Sequence, residues 1–498
     1  MVEARLTPAT PNPEAVALEP ALRQRARIAI AVLAARTTAM QLITLGGQVA
    51  LARFLEPRDF GVYAVLKFGL TFFVFFGDVG LGGALIQKKE APSEREISSV
   101  FTLQLLLSAG VVALVWASAG LVDRIWTDLP TSGPWLLRIL AFDLLLTSLR
   151  TIPSILMERG LQFSRLATLD VALNVTFYAT ALLLARSHWA SSALVVAVVA
   201  QGCVGAVLAF LLRPFRPRLI LDKQVLAPIV KFGIPFQLAQ LIGFLNGAVT
   251  PIYAGAALGT RSLGFINWAQ DTAYFPLRAV ELVSRVGFPL FSRLQGDPRA
   301  LGESFGRAVY LCAIATAFFV ALLLGMGSNV VHVVFTDKWQ PALPLLHVYA
   351  AVIAIGFYTP LMAALLNATG RPGLLFRLSC VWVAIVWITV PLTTPRWGIQ
   401  GYVYGYCLHV VLGNSMLLAL TPKLVPYARV YRRFIGPAAA GALTYCVARF
   451  VLSSWGGDVP RFIVSVLVLV IVHLGSLAVL DFRGIRRSLT LLPDNASV

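Results

Sequence analysis

Charged side chains recur inside an apolar stretch near the middle of the chain, Leu263–Phe291. If the stretch is one long helix turning by roughly 100° per residue, its polar residues fall within an arc of about 80°. Each charge facing lipid would cost about 2.5–3.5 kcal/mol. The pattern therefore predicts water, or a polar ligand, along one side of a membrane helix. The polar residues are Asn267, Asp271, Tyr274, Arg278, Glu281 and Arg285.

Internal ion pairing is a second interpretation of the same residues. Asp271 and Arg278, and likewise Glu281 and Arg285, lie one or two helical turns apart. Pairing would hide charge from lipid without any ligand. The two interpretations are compatible, so both stay open.

Arginine suits a phosphate ligand, because its guanidinium group is always charged and donates hydrogen bonds in a fork. Arg36, Arg278 and Arg150 are therefore candidates for holding an anionic head group, although Arg36 lies close enough to the membrane surface to snorkel. Lys67 and Asp78 share a helix face eleven residues apart. The complete set of candidate substrate-binding residues is Arg36, Lys67, Asp78, Arg150, Asn267, Asp271, Arg278, Glu281 and Arg285.

The composition is that of an integral membrane protein. The chain has 498 residues, of which 58% are hydrophobic and 13% charged, and its mean hydropathy is +0.79. Soluble domains carry about 25% charge. The net charge of +18 is explained by basic cytoplasmic loops, so no nucleic-acid partner is expected.

Apolar segments predict an all-α protein with about fourteen transmembrane helices. Cytoplasmic segments hold about 26 of the 41 Lys and Arg residues and exterior loops about 8, if both termini are cytoplasmic. Six tryptophans then fall at the outer interface as an aromatic belt: Trp126, Trp135, Trp189, Trp339, Trp397 and Trp455. The predicted spans are 28–52, 61–87, 97–121, 135–157, 166–185, 190–212, 232–257, 263–289, 306–326, 342–367, 374–394, 398–420, 434–454 and 462–480.

An internal repeat links two of the exterior joints between spans. The pattern L-x-x-R-x-[FL]-G-[VF] occurs at Leu55–Val62 and again about 203 residues later at Leu258–Phe265. Six helices separate the copies, so the repeat is parallel and predicts two six-helix lobes, related by a pseudo-twofold axis, around a central cavity. The predicted boundaries are a disordered cytoplasmic N-terminus at 1–27, an N-lobe at 28–212, a cytoplasmic linker at 213–231, a C-lobe at 232–420, and two appended helices with a cytoplasmic tail at 421–498.

Several chemistries lack their sequence signatures. The chain has no G-x-x-x-x-G-K-[ST], H-E-x-x-H or G-x-S-x-G motif, so neither ATP hydrolysis nor enzymatic catalysis is expected. The five cysteines lie in apolar runs without a CxxC pair, so no metal, cofactor or disulfide is expected. The membrane histidines His347, His409 and His473 are expected to be packed and hydrogen-bonded.

The first joint, Ala52–Tyr63, and the following Phe73–Gln87 carry a family resemblance. They resemble the polysaccharide transporter branch of the multidrug/oligosaccharidyl-lipid/polysaccharide exporter superfamily. The resemblance extends over roughly 28–420 and implies a flippase of the bacterial inner membrane for undecaprenyl-diphosphate-linked oligosaccharides, serving lipopolysaccharide or exopolysaccharide biosynthesis. It also implies that arginines of the first and eighth helices, here Arg36 and Arg278, hold the diphosphate.

The expected function is therefore lipid-linked oligosaccharide transport by alternating access. Membrane lipids surround the protein, and glycan polymerase or assembly proteins are further candidate partners. A drug–cation antiporter on the same architecture is the nearest alternative, but it favours an acidic cavity. An integral glycan polymerase would need an extramembrane domain, and an assembly subunit would not need so many charges at membrane depth.

Overall fold

All regular structure in the described part of the chain is helical. The computed structural model describes residues 37, 39–77, 81, 85, 90–216, 218–421, 427–455, 457–482 and 484. Ten segments of these ranges are long and apolar enough to cross a membrane. The predicted class of all-helical, multi-pass membrane protein is confirmed, while the count of fourteen spans and the two-lobe arrangement stay predictions.

The longer helices that begin before residue 300 are α1 (39–54), α2 (Pro57–Gly77), α3 (Glu94–Ser118), α4 (Gly133–Arg159), α5 (Phe163–Arg186), α6 (Ser191–Leu212), α7 (Lys223–Val249), α8 (Gly255–Ala273), α9 (Phe275–Arg293) and α10 (Pro298–Asn329). The remaining helices are α11 (Leu343–Gly356), α12 (Thr359–Ala368), α13 (Pro372–Leu420), α14 (Tyr427–Val447) and α15 (Val459–Leu480).

The prediction of a single helix over Leu263–Phe291 is wrong. α8 ends at Ala273, and Tyr274 (φ −78°, ψ 0°) separates it from α9. Pro276 lies in the first turn of α9, where a residue without a backbone N–H cannot continue the hydrogen-bond ladder of the preceding helix. Residues after the break therefore no longer keep the angular positions around the helix axis that one continuous helix would give them.

Glycine and proline mark the other reversals. Gly398 has φ +58° inside α13, a conformation that favours glycine. A methyl group on Gly401 or Gly405 would overlap the backbone of Thr393 or Thr389. The two arms of α13 therefore pack antiparallel, and the predicted boundary between spans at 394 and 398 is confirmed.

Pro251 produces a different distortion. A π-helical turn, Thr250–Ala254, follows α7 and contains this proline. The seventh predicted span is therefore distorted at this position. Proline removes one backbone donor, and a wider turn accommodates the loss.

The chain divides into two compact units. Unit 1 comprises residues up to Leu51, Phe73–Ala117 and Arg138–Pro235. One cluster of its core joins Phe101 and Ile155, and another joins Met157 to Ala209. These contacts tie α3 to α4, and α4 to α6.

Unit 2 comprises Ala52–Phe72, Ser118–Leu137 and everything from Phe236 onwards. Two tryptophans predicted for the aromatic belt are buried in it instead. Trp126 donates to the Pro251 carbonyl at 2.8 Å, and Trp339 donates to the Ala52 carbonyl at 3.0 Å. The belt prediction is wrong for these two, because each indole N–H is needed to join distant segments. The other four, Trp135, Trp189, Trp397 and Trp455, are exposed.

Candidate functional site

The charged face of α9 lies opposite its packed face. The buried residues of α9 follow a helical stripe: Pro276, Val280, Ser284, Gly287 and Phe291. On the other side Arg278 is half-buried, and Glu281 and Arg285 are exposed. The stripe of charges is therefore not sealed inside the helical bundle.

The charges of this face are not neutralised by one another. None of the ion pairs within 4.0 Å in the described chain involves a charged residue predicted for this site. The charged residues of α9 are therefore not stabilised by ion pairs with one another. Asp271, at the end of α8, nevertheless lies within electrostatic range of Arg278 and of Lys67 on α2. The structure thus brings three predicted site residues from three helices together.

Lys67 has an aromatic neighbour. It is exposed, and its ammonium nitrogen lies 5.7 Å from the centre of the Tyr63 ring. A cation over an aromatic face is held by the ring quadrupole without losing its charge. Lys67 can therefore present a positive charge to a ligand.

Tyr274 does not belong to the charged face. Its hydroxyl donates to the Tyr406 hydroxyl at 3.2 Å, and its ring packs edge-on against Tyr349. Gln270 also reaches Tyr406, at 3.4 Å, and Tyr402 stacks on Tyr406. The break at Tyr274 orients this side chain toward a cluster of tyrosines inside unit 2. The pair Tyr402 and Tyr406, four residues apart in an apolar helix, was the available sequence signal for it.

The remaining predicted residues are distributed differently. Arg150 is half-buried in unit 1, where it donates to Thr147 at 3.3 Å and packs beside Gly205 of α6. Asn267 is half-buried on α8. Arg36 and Asp78 lie outside the described residues, so their assignment stays a prediction.

The two copies of the internal repeat cross each other within unit 2. A methyl group on Gly61 would overlap the carbonyl of Thr260, and one on Gly264 would overlap the carbonyl of Pro57. Pro57 and Thr260 are equivalent positions of the repeat, as are Gly61 and Gly264. The contact is therefore reciprocal, as a local pseudo-twofold relation requires. Only glycine allows the start of α2 and the middle of α8 to approach so closely.

A hydrogen-bonded carboxylate reinforces this crossing. Asp128 accepts from the Thr260 hydroxyl at 2.7 Å and its backbone N–H at 3.0 Å, and from Arg58 at 3.2 Å. The hydrogen bond from the Thr260 hydroxyl holds the pKa of Asp128 below its usual value, against the opposing effect of partial burial. The carboxylate is thus charged at any physiological pH. We call Pro57, Arg58, Gly61, Asp128, Thr260 and Gly264 the joint cluster.

Arg53 anchors the first joint from its other side. It donates to the carbonyls of Val333 and Val334, while Lys338 donates back to the Arg53 carbonyl at 3.0 Å. Arg53, which carries part of the family resemblance, and Arg58, which belongs to the internal repeat, therefore bind protein groups. They are not available to hold substrate phosphate in this arrangement.

The described chain contains no group of three or more His, Cys, Asp or Glu residues placed to bind a metal, and the five cysteines are free. His473 is hydrogen-bonded to Thr444 and to the Ile314 carbonyl, as predicted. The buried Nε2 of His347 and Nδ1 of His409 have no hydrogen-bond partner within the described ranges. The prediction of a bonded imidazole is thus incomplete for these two.

A family profile described as "Polysaccharide biosynthesis protein" matches residues 50–344. The match covers more than half of the chain and includes both joints and all of α9. The chain belongs to this polysaccharide biosynthesis protein family.

Curated relatives carry names from the same field. The chain is 24% identical over 306 residues to the teichuronic acid biosynthesis protein TuaB of Bacillus subtilis (strain 168), a match covering 60% of this chain and 62% of the relative. It is 21% identical to the lipopolysaccharide biosynthesis protein WzxC of Escherichia coli (strain K12), covering 77% and 78%. It is 22% identical to the succinoglycan biosynthesis transport protein ExoT of Rhizobium meliloti (strain 1021), covering 84% of each.

Solved structures place this polysaccharide biosynthesis protein in a known fold. An inward closed structure of the lipid II flippase MurJ aligns with a TM-score of 0.74 at 13% identity, covering 91% of this chain and 99% of that one. An inward-facing multidrug resistance MATE transporter of the MOP superfamily aligns at 0.57 and 14% identity, covering 79% and 95%. Both likenesses show a shared fold, and they agree with the exporter superfamily that the first joint resembles.

Proposed function

We propose that this member of the family is a flippase that moves undecaprenyl-diphosphate-linked oligosaccharide across the bacterial inner membrane. The observation that carries the proposal is the exposed charged face of α9, with Arg278 near Asp271 and Lys67. A bare ionised face at membrane depth is costly unless water or a polar ligand covers it. The names of TuaB, WzxC and ExoT support a glycan as that ligand.

The chemistry divides between the two charge types. Arg278 and Lys67 would attract the diphosphate, Arg278 through a forked hydrogen-bond pattern. Asp271, Glu281 and Asn267 can accept hydrogen bonds from sugar hydroxyls, and Asp271 also keeps the cations oriented. The polyprenyl chain stays in lipid throughout, because burying its methylene groups in a polar cavity would lose about 0.8 kcal/mol per CH₂.

Alternating access requires a contact that opens and closes. The joint cluster is the candidate, since its hydrogen bonds and glycine crossing join residues 52–72 and 118–137 to the region beyond 236. In the orientation that basic loops predict, this cluster faces the exterior. We infer that it separates when the cavity opens outward, while Arg278 and its neighbours release the substrate.

The decisive experiment begins with a deletion strain. A flippase deletion accumulates lipid-linked oligosaccharide on the cytoplasmic leaflet, where an added membrane-impermeant glycosidase cannot reach it. A strain whose repeat units already face outward would instead indicate a polymerase. Unchanged glycan export together with new drug susceptibility would indicate an antiporter.

Arg278→Gln tests the site in the complemented strain. Losing a charge-assisted hydrogen bond of about 1.5–3 kcal/mol should lower export about tenfold to a hundredfold at equal protein level. Arg293→Gln removes an equal charge from the last turn of the same helix and should leave export unchanged. Equal export by the two variants would remove Arg278 from the site.

A further inference from the structure

A polar cavity lies apart from the charged face of α9. It has a volume of about 670 Å³ and lies between the end of α10, the start of α11 and the segment that follows α14. This volume is within the range of small-molecule sites. Its polar lining comprises Ser328, Asn329, His347, Tyr445, Arg449, Ser453 and Ser454.

The polar cavity contains a cation and no acidic residue. Its lining includes Arg449 but neither Asp nor Glu. The Arg449 side chain is exposed, and within the described ranges no ion pair involves it. The buried Nε2 of His347 is the second polar group there without a partner in the described chain. An anion would satisfy the guanidinium group.

A hydrogen bond and a close helix contact join the walls of the polar cavity. Asn329 donates to the Ser453 carbonyl at 3.0 Å, which joins the end of α10 to the segment after α14. A methyl group on Gly325 would overlap Ala448, so the helices touch directly behind the cavity. Arg449 lies in a π-helical turn, Ala448–Leu452, a distortion that frequently marks functional positions.

An apolar groove of about 320 Å³ adjoins the polar cavity, since both are lined by Leu324 and Tyr445. The groove runs between α10, α11 and α14, and small side chains create it. Its lining includes Ala313, Ala317, Ala321, Ala354, Ala438, Gly441 and Ala442. An apolar groove lined by such small side chains can accommodate a hydrocarbon chain.

We propose that the cavity and groove together bind one anionic phospholipid of the membrane. Its phosphate diester would bind Arg449, with the serine hydroxyls and His347 around the head group, and one acyl chain would fill the groove. A sugar would not use the groove, and a cationic drug would be repelled by Arg449. In the orientation predicted from basic loops, the lipid comes from the outer leaflet. The inference does not depend on the proposed flippase activity.

The test uses the full chain in nanodiscs of phosphatidylcholine doped with phosphatidylglycerol, and native mass spectrometry counts the lipids retained after release. We expect one retained phosphatidylglycerol. Arg449→Gln should lower its occupancy about tenfold, and Arg449→Lys should restore most of it. Arg396→Gln is the matched control. It removes an exposed charge from α13 just before Gly398, outside the lining of the polar cavity, and should leave occupancy unchanged.

A second variant separates lipid from free anion. Ala442 lines the groove and is exposed, so Ala442→Phe should fill the groove without disturbing the core. It should displace phosphatidylglycerol while leaving stabilisation by inorganic phosphate unchanged. If neither Ala442→Phe nor Arg449→Gln changes lipid retention, while Arg449→Gln abolishes phosphate stabilisation, the site binds a free anion only and the lipid proposal is overturned. Equal retention of phosphatidylcholine, or full retention in Arg449→Gln, would overturn the proposal.

Discussion

Two aspartates show how position decides what a carboxylate does. Asp128 accepts three hydrogen bonds in the joint cluster, from Thr260 and Arg58, so its charge holds segments together. Asp271 forms no ion pair within 4.0 Å in the described ranges, and it interacts at longer range with Arg278 and Lys67, so it lies beside the cations of the candidate site. Residue type alone does not distinguish these roles.

A double-mutant cycle on Asp271→Asn and Lys67→Gln measures their coupling in transport. Because the two charges interact, we expect the double variant to deviate from the sum of the single effects by about 0.5–3 kcal/mol in export rate. Strictly additive rates would show that the two charges contact the substrate independently. Glu281→Gln with Lys67→Gln provides a comparison pair, because these two side chains form no ion pair within 4.0 Å in the described ranges.

The pH dependence of Asp128→Asn follows from its lowered pKa. A carboxylate with a depressed pKa stabilises the fold above its usual value, here 3.8, and loses that contribution as pH falls through the lower value. The variant should therefore melt at a lower temperature than the parent, by about 1–3 °C. The difference should be constant from pH 8 to pH 5. It should shrink as the pH falls below 3.8 in a thermal melt of purified protein, and a difference that changed near pH 6 would contradict this account.

At the scale of elements, breaks and crossings determine which faces meet. Pro276 ends the continuity of α8 and α9, so Tyr274 enters the tyrosine cluster while Arg278 remains on the charged face. Gly61 and Gly264 let α2 and α8 cross at backbone contact distance. The break depends on the backbone N–H that Pro276 lacks. The crossing depends on the Cβ that Gly61 and Gly264 lack.

Gly264→Ala tests the crossing. The added methyl group would overlap the Pro57 carbonyl, and backbone cannot move aside easily, so we expect destabilisation of about 1–3 kcal/mol or more. Gly247→Ala on α7 places its methyl group in open space and should be neutral or stabilising by up to about 1 kcal/mol. Denaturant or thermal unfolding in detergent compares them, and equal stability of the two variants would be incompatible with the crossing described.

At the scale of the whole molecule, the role proposed for the joint cluster connects the repeat to transport. The equivalent residues of the two copies meet reciprocally, which is what a duplicated lobe would produce at a pseudo-twofold axis. A contact of this kind can be closed in one state of the cycle and open in the other. In the proposed transport cycle, its strength would set how often the protein changes state.

Cross-linking Asp128→Cys to Thr260→Cys tests that role in a chain whose five native cysteines are replaced. The native side chains approach to 2.7 Å, so a short thiol-specific cross-linker should join them. We expect glycan export to stop on cross-linking and to return after cleavage of the linker. A Trp397→Cys and Tyr404→Cys pair, across the reversal in α13, should cross-link without effect. Export that continued with the joint cross-linked would show that the joint stays closed throughout transport.

The amino-acid sequence alone determined the all-helical membrane class, the boundary between spans near Gly398 and the two similar joints, because these depend on local hydropathy and on backbone chemistry. It also identified Arg278, Glu281 and Arg285 as one face, since they lie on a single uninterrupted helix. Only the tertiary structure decided that Tyr274 leaves that face, that Trp126 and Trp339 are buried donors, and that Gly61 meets Thr260. Each of these depends on contacts between residues far apart in the chain, and a single kink changes the direction of every side chain beyond it.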